Sequence, residues 1–307
     1  APALAPHSPG VPRWDDVDPA RRDLMARYME LYSAIVDNID QNVGRLMDTL
    51  EALGRLDNTL VLITSDNGAN GIGGPEGAAN NLSKRLTQSE DPDWVRRCFD
   101  AGELGGSTSW PTDPLGWTDV SVAPYRMYKT TTMNGGIRVP LVMQWSARWK
   151  EGGRVAQDWV HVTDLAPTIL DLVGIAAPAE HAGFRTRPHD GLSFKDTLDR
   201  GLPSRRDAQH FELFGNRGYI AEGWKIESLQ PPGQGIDLDN WMLFDLASDP
   251  TETRDLASEH PDRLARLVAA FDRDAFANYA YPLDNRGVRR SLTVPPYLEH
   301  TLDEPRT

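Results

Sequence analysis

The hydrophobic residues of the segment 22–54 recur every three or four positions, with charged residues between them. This spacing predicts a long amphipathic helix that ends near Gly54. The apolar positions of this helix are Leu24, Tyr28, Leu31, Ile35, Ile39, Val43, Leu46 and Leu50. The run TLVLITS at 59–65 follows after a short turn and is apolar on both faces, which is typical of a strand in a covered parallel sheet. A helix, a short loop and a buried strand together predict an α/β domain.

The rest of the chain divides into regions with different patterns of hydrophobic and polar residues. Residues 70–120 carry Gly, Pro and polar clusters without a sustained period, which predicts a long insertion with at most short helices. The run VPLVMQW at 139–145 predicts a second buried strand, and the segment 162–175 predicts a helix. From about residue 205 the pattern alternates, which predicts short antiparallel strands, and the segment 261–278 predicts a last amphipathic helix.

The amino-acid composition and net charge limit the kinds of molecule that this chain could bind. The chain has 307 residues and a net charge of −13, which argues against nucleic acid as the main partner because phosphate contacts need a basic surface. An anionic small substrate stays compatible with this charge, since one lysine or a metal ion can reverse the sign within a cleft. The single cysteine, Cys98, excludes an internal disulfide and a multi-cysteine metal site. No run of about 18 apolar residues is present, so we expect no membrane span. Compartment and oligomeric state stay open.

Asp66 and Asn67 come directly after the first predicted strand, in the motif SDNG. Ligands of open α/β sheets bind beyond the carboxyl ends of the strands. A carboxylate and an amide carbonyl are hard oxygen ligands that suit calcium or magnesium. The alternative is a turn in which Asp66 is a cap and Gly68 allows the bend.

Several motifs occur in an order that resembles the C-terminal half of arylsulfatases, which are sulfatases of the alkaline-phosphatase-like superfamily. These motifs are SDNG at 65–68, GGIRVP at 135–140, VHVTDLAPTILDLVGI at 160–175 and LFDLASDPTETRDLA at 243–257. The resemblance covers almost the whole chain apart from the insertion.

The resemblance implies an alkaline-phosphatase-like α/β sandwich. Its central sheet would be mostly parallel, with its N-terminal strands missing, and a small C-terminal antiparallel sheet would pack with a helix. Residues 1–200 would then be the C-terminal part of the catalytic α/β domain, with the insertion at 70–120, and residues 201–307 would be a small subdomain. Without the N-terminal strands we expect apolar strand edges and faces to be exposed.

The resemblance also implies roles for individual residues. The family's pair of calcium ligands falls on Asp66 and Asn67, and its sulfate-binding lysine falls on Lys129. A cation and an ammonium aimed at the sulfate oxygens would stabilise the charge that builds up during ester cleavage. His161 and Asp164 match an H-x-x-D motif, and we expect them to cap the following helix.

The family's nucleophile is a formylglycine made from the Cys or Ser that opens a C/S-x-P-x-R motif. No Cys or Ser of this chain opens such a motif: Cys98 stands before FDAG, and the sequence VAPYR has Val122 at the nucleophile position. Calcium takes six to eight oxygen ligands, so Asp66 and Asn67 alone should bind it weakly. We therefore expect the C-terminal portion of a calcium-dependent arylsulfatase, inactive alone, whose nucleophile is encoded upstream.

Two alternatives remain at this stage. One is a phosphomonoester or phosphonate hydrolase of the same superfamily, and the other is a non-catalytic, sulfatase-like binding protein. The nucleophile and the remaining metal ligands would distinguish them. The motifs GGIRVP and SDNG together favour the sulfate ester.

Overall fold

The computed structural model describes residues 4–82, 90–231 and 233–286. Its helices are α1 (Pro19–Ala52), α2 (Pro92–Asp100), α3 (Leu115–Val122), α4 (Asn134–Ile137), α5 (Leu165–Val173), α6 (Lys195–Arg200) and α7 (Pro261–Ala277). Its strands are β1 (Val61–Thr64), β2 (Leu141–Gln144), β3 (Glu180–His181), β4 (Phe184–Arg185), β5 (Ala208–Leu213), β6 (Asn216–Ala221), β7 (Trp224–Ser228) and β8 (Met242–Asp245). Residues 83–89 of the predicted insertion and 287–307 of the predicted subdomain lie outside the described residues.

Helix α1 confirms the long helix predicted from the periodicity. It begins where the Asp18 carboxylate accepts the backbone N–H of Ala20 at 2.9 Å, and Gly54 follows its end with φ +63°. Its buried side chains are those of Leu24, Met25 and Tyr28. Its exposed large apolar side chains are those of Tyr32, Ile35, Val36, Ile39 and Leu46. The apolar face is therefore covered at its N-terminal end and open to solvent farther along. No helix in the described ranges is long and apolar enough to cross a bilayer.

Gly44 lies on the exposed side of α1, and a Cβ added there would meet no atom within 4 Å. Glycine in a helix interior costs backbone entropy relative to alanine. We expect Gly44→Ala to raise the free energy of unfolding by about 0.5–1 kcal/mol, measured by urea titration. A lowered free energy of unfolding would show that the middle of α1 contacts something that this structure does not contain.

The insertion packs onto the buried end of α1. Helices α2 and α3, which the described part of the insertion contains, are nine and eight residues long, in agreement with the prediction of short helices. The indole N–H of Trp117 donates to the carbonyl of Met25 at 2.7 Å and ties α3 to α1. The shared core consists of Leu24, Tyr28, Ala79, Val95 and Leu104.

The two predicted core strands exist, but they do not confirm a mostly parallel central sheet. Strands β1 and β2 pair antiparallel, with Val61 opposite Gln144, and within the described residues they pair only with each other. Their predicted burial on both faces is wrong, since Ile63 is 41% and Val142 is 58% exposed. The physical reason is that no other described element packs closely on this pair of strands, so none of their residues is fully buried. The expected exposure of apolar strand faces is thereby confirmed.

Strands β5 to β8 form the antiparallel sheet that the alternating pattern predicts. They are ordered β5-β6-β7-β8, each paired antiparallel with its chain neighbour, and α7 packs on one face. The core between sheet and helix is centred on Tyr219, Ile226, Leu243, Leu267 and Phe271. The sheet is thus held by its own hydrophobic core. The domain boundary at residue 200 stays a prediction.

Candidate active site

Asp66 and Asn67 lie just beyond the carboxyl end of β1. The Ser65 hydroxyl donates to the Asn67 carbonyl at 2.8 Å, and the Asn67 side-chain NH₂ donates to the Gly68 carbonyl at 2.9 Å. Because the NH₂ group is held in this way, the Asn67 side chain has its carbonyl oxygen left for a cation. The Asp66 side chain is exposed and faces an open cavity of about 4000 Å³.

Lys129 lines the same cavity and comes from a second segment, residues 126–137, which we call the lysine loop. Two backbone hydrogen bonds of 2.9 Å join this loop to the segment after β1: Lys129 N–H donates to the Ala69 carbonyl, and Gly68 N–H donates to the Gly136 carbonyl. The three residues predicted for the site are therefore brought together on two directly bonded segments.

Glycines allow the close approach of these segments. A Cβ on Gly68 would overlap the carbonyl oxygen of Gly135 and lie 2.8 Å from its carbonyl carbon. A Cβ on Gly136 would lie 2.6 Å from the carbonyl oxygen of Tyr128, inside the lysine loop. Gly68 of SDNG is thus required by the contact between the two segments, and Gly136 of GGIRVP is required by the backbone packing within the lysine loop.

The charges of the site suit a cation beside an anion. Among the described residues, no carboxylate lies within ion-pair distance of Lys129, so its ammonium is available to a ligand. Asp66 and Asn67 present hard oxygen atoms, which fit calcium, but they supply only part of a shell of six to eight ligands. In the described part of the chain, no group of three or more His, Cys, Asp or Glu side chains is arranged to hold a metal ion.

His161 and Asp164 form a capping box on the short 3₁₀ turn Val162–Asp164, which leads directly into α5. The His161 ring accepts the backbone N–H of Thr163, and the Asp164 carboxylate accepts the backbone N–H of His161 at 2.8 Å. Burial raises the pKa of the Asp164 carboxyl, but hydrogen bonds from the Arg206 guanidinium and from backbone N–H groups outweigh it and hold the pKa below its ordinary value. Burial lowers the pKa of His161, and Arg206 lowers it further. Capping is therefore the structural role of this pair.

A buried ionic network lies behind the lysine loop. Lys225 Nζ on β7 donates to Glu252 Oε1 at 2.6 Å, to the Thr132 carbonyl at 2.6 Å and to Asn134 Oδ1 at 3.3 Å. Glu227 accepts the Thr132 hydroxyl, while its second oxygen lies 3.5 Å from Lys225 Nζ and accepts no hydrogen bond. Burial raises the pKa of Glu227 to about 8, partly offset by the charge of Lys225. We call Lys225, Glu227 and Glu252, all fully buried, the buried triad.

The chain matches the Sulfatase family over residues 3–175, which is more than half of its length. It belongs to the sulfatase family. It is 31% identical over 266 residues to an uncharacterized sulfatase of Schizosaccharomyces pombe, covering 84% of this chain and 45% of that protein. It is 30% identical over 202 residues to an arylsulfatase of Klebsiella aerogenes, covering 66% of this chain and 41% of that enzyme. The sulfatase chain thus spans less than half the length of these two relatives.

Solved structures share the fold of this sulfatase chain. The crystal structure of Ps i-CgsB covers 98% of this chain and 55% of its own, with a TM-score of 0.56 and 20% identity. A structure named BT33336S-sulf, from Bacteroides thetaiotaomicron, covers 76% of this chain and 42% of its own, with a TM-score of 0.51 and 20% identity. These similarities show an alkaline-phosphatase-like fold of mixed α/β type, to which the described residues add small antiparallel sheets.

No sequence pattern of the sulfatase chain predicts the buried triad. Lys225 and Glu227 alternate with apolar residues along β7, a pattern that ordinarily indicates a solvent-facing side of a strand. Glu252 stands in a polar run that predicts an exposed turn. The one signal in the sequence is that Lys225 and Glu227 carry opposite charges two positions apart, on the same face of a strand. This spacing does not show what covers that face.

Cys98 is buried in α2 of the sulfatase chain, and burial raises the pKa of its thiol. A raised thiol pKa means less thiolate and a poorer nucleophile. The interpretation of Cys98 as a structural thiol is consistent with this position.

Proposed function

We propose that this chain contributes three active-site residues of an arylsulfatase-type sulfuric ester hydrolase. Asp66 and Asn67 would be ligands of a calcium ion, and Lys129 would bind the sulfate group. In this proposal the formylglycine nucleophile and the other calcium ligands belong to an N-terminal region that the present sequence does not contain, so the chain alone does not turn over sulfate esters.

One observation carries the proposal. The segment with Asp66 and Asn67 and the loop with Lys129 are hydrogen-bonded to each other and line one cavity. A partial oxygen shell and an unpaired ammonium on the same wall suit an anion that is held between two positive charges. Family membership and the names of the relatives at 30 and 31% identity support a sulfate ester as the substrate class.

The residues of this chain would act mainly through charge and position. Lys129 would attract the sulfate and stay beside the oxygens that gain negative charge as the ester bond breaks. Asp66 and Asn67 would hold the calcium ion, which when bound supplies Lewis-acid polarisation of the sulfate oxygens. The backbone bonds between the two segments would fix the distance between the metal ligands and the lysine without rearrangement during the reaction.

Isothermal titration calorimetry of the chain with calcium chloride and with sodium sulfate tests the assignment. We expect calcium to bind with a Kd of about 1 mM or weaker, because most of its shell is missing, and Asp66→Ala to abolish the signal. We expect Lys129→Gln to weaken sulfate binding by about tenfold, since the main charge at the site is removed. Lys150→Gln is the matched control, because Lys150 lines the same cavity and its ammonium donates to the Ser146 carbonyl.

Equal sulfate affinities of Lys129→Gln and Lys150→Gln would contradict the role of Lys129, and calcium binding that survives Asp66→Ala would contradict the metal assignment. A separate assay addresses the nucleophile. The chain should release no 4-nitrophenol from 4-nitrophenyl sulfate or from 4-nitrophenyl phosphate. Turnover of the sulfate ester would show that the nucleophile lies within these residues, and turnover of the phosphate alone would favour a phosphomonoester hydrolase.

A further inference from the structure

The lysine loop is held from two sides. On the cavity side its backbone bonds to Ala69 and Gly68, next to the predicted calcium ligands. On the opposite side it rests against the C-terminal antiparallel sheet and the turn after β8. The hydrogen bonds to Thr130, Thr132 and Asn134 on that second side come from residues 86 to 118 positions farther along the chain.

The second side is built mainly from buried charge. Lys225 Nζ donates to the carbonyl of Thr132 and to the side chain of Asn134, and Glu252 Oε2 accepts the backbone N–H of Asn134 at 2.7 Å. Asn216 adds a bond of 2.9 Å from its side-chain NH₂ to the Thr130 carbonyl. The loop residues Thr132 and Asn134 are themselves buried, so water does not replace these partners.

We propose that Lys225 and Glu252 are positioning residues for Lys129: their buried ion pair fixes the lysine loop and so places the ammonium of Lys129 beside Asp66 and Asn67. The inference rests on the proposed sulfate-binding role of Lys129. Neither residue lines the cavity, so both act through the loop and not on the ligand. The C-terminal sheet thereby determines the geometry of the anion site, although it contributes no ligand through this pair.

The conformation of Glu252 supports a specific role. Its φ is +57°, a region that non-glycine residues rarely adopt. Its side chain is fully buried. One carboxylate oxygen accepts Lys225 and the other accepts the loop backbone. A glycine or asparagine at this position would relieve the backbone but could not make both contacts. The residue type is therefore explained by the bridge it forms between β7 and the lysine loop.

The test uses the chain labelled with ¹⁵N-lysine, whose five lysines give few amide signals. The Lys129 amide reports on the loop directly because its N–H donates to Ala69, and the variant Lys129→Arg assigns the signal. The central variant is the double replacement Lys225→Met with Glu252→Gln. It removes both buried charges together, because removal of one alone would leave an uncompensated charge and could unfold the chain.

We expect the double variant to keep its folded spectrum while the Lys129 amide signal moves, and sulfate binding to weaken by about tenfold. The amides of Lys150 and Lys195 should stay in place. Glu259→Gln is the first control, because it breaks an exposed pair with Arg254 in the same region. Phe271→Ala is the second, because it destabilises the C-terminal core and does not touch the loop. Neither control should move the Lys129 signal.

An unchanged Lys129 amide together with unchanged sulfate affinity in the folded double variant would overturn the proposal. The same displacement in Phe271→Ala would also overturn it, because the network would then act only through general stability. If the double variant moves the amide but sulfate binding of the wild-type chain does not depend on Lys129, the proposed function fails while the positioning of the loop by Lys225 and Glu252 stands.

Discussion

Replacing Gly68 by alanine is expected to lower the free energy of unfolding by about 3 kcal/mol or more. The added Cβ would overlap the backbone of Gly135, which cannot yield as a flexible side chain would. The clash would also separate Gly68 N–H from the Gly136 carbonyl, now 2.9 Å apart, and so weaken the contact between the segment that carries Asp66 and Asn67 and the lysine loop. Urea unfolding measures the free energy of unfolding, and the Lys129 amide signal reports whether the two segments stay in contact.

Gly44→Ala is the control for this substitution, because the same chemical change is made where the added Cβ meets nothing. The two variants should change stability in opposite directions. A loss of less than about 1 kcal/mol in Gly68→Ala would mean that the two segments separate without cost, which contradicts their close packing.

The second large effect is a dependence of stability on pH that originates at Glu227. Its pKa is raised from 4.5 to about 8 by burial, so the folded chain keeps a proton that the unfolded chain has already released in this range. The free energy of unfolding should therefore fall as the pH rises from about 4.5 to about 8, by up to about 1.4 kcal/mol per pH unit, and level off above. The charged groups that face Glu227 are Lys225 and Glu252.

Glu227→Gln removes this titration and keeps a side chain of the same shape that still accepts the Thr132 hydroxyl. We expect the variant to have a flatter stability profile between pH 4.5 and 8, and the difference between the two urea-unfolding profiles isolates Glu227 from the other titrating groups. Asp113 is one of these, since burial raises its pKa to about 6. Parallel profiles for wild type and variant would show that Glu227 is ionised in the folded chain at neutral pH.

Periodicity predicted most of the secondary structure and little of the packing. The three-and-four spacing located α1, and the alternation located β5 to β8, because both patterns depend on local backbone geometry. The same spacing continues along α1 past Tyr28, where the apolar side chains are exposed, since a pattern shows which side of a helix is apolar and not whether a partner covers it. For the same reason the burial of β1 was overestimated.

Motifs predicted the residues of the candidate site, but no motif predicted the buried residues that hold the lysine loop in place. Asp66, Asn67 and Lys129 stand in short sequences that resemble a family, so they could be named without a structure. Lys225 lies 93 positions from its acceptor Thr132 and 27 from Glu252, and no local pattern links these residues. Only the folded chain brings them together.

The left-handed conformation of Glu252 also affects how this chain could be engineered for robustness. A design that places glycine or asparagine at positions of positive φ, because these residues tolerate that region, would include Glu252. At Glu252 that replacement would remove the carboxylate that links Lys225 to Asn134. The replacement would also leave the buried ammonium of Lys225 without its partner, so the relaxed backbone would come with a loss of stability and of the placement of Lys129.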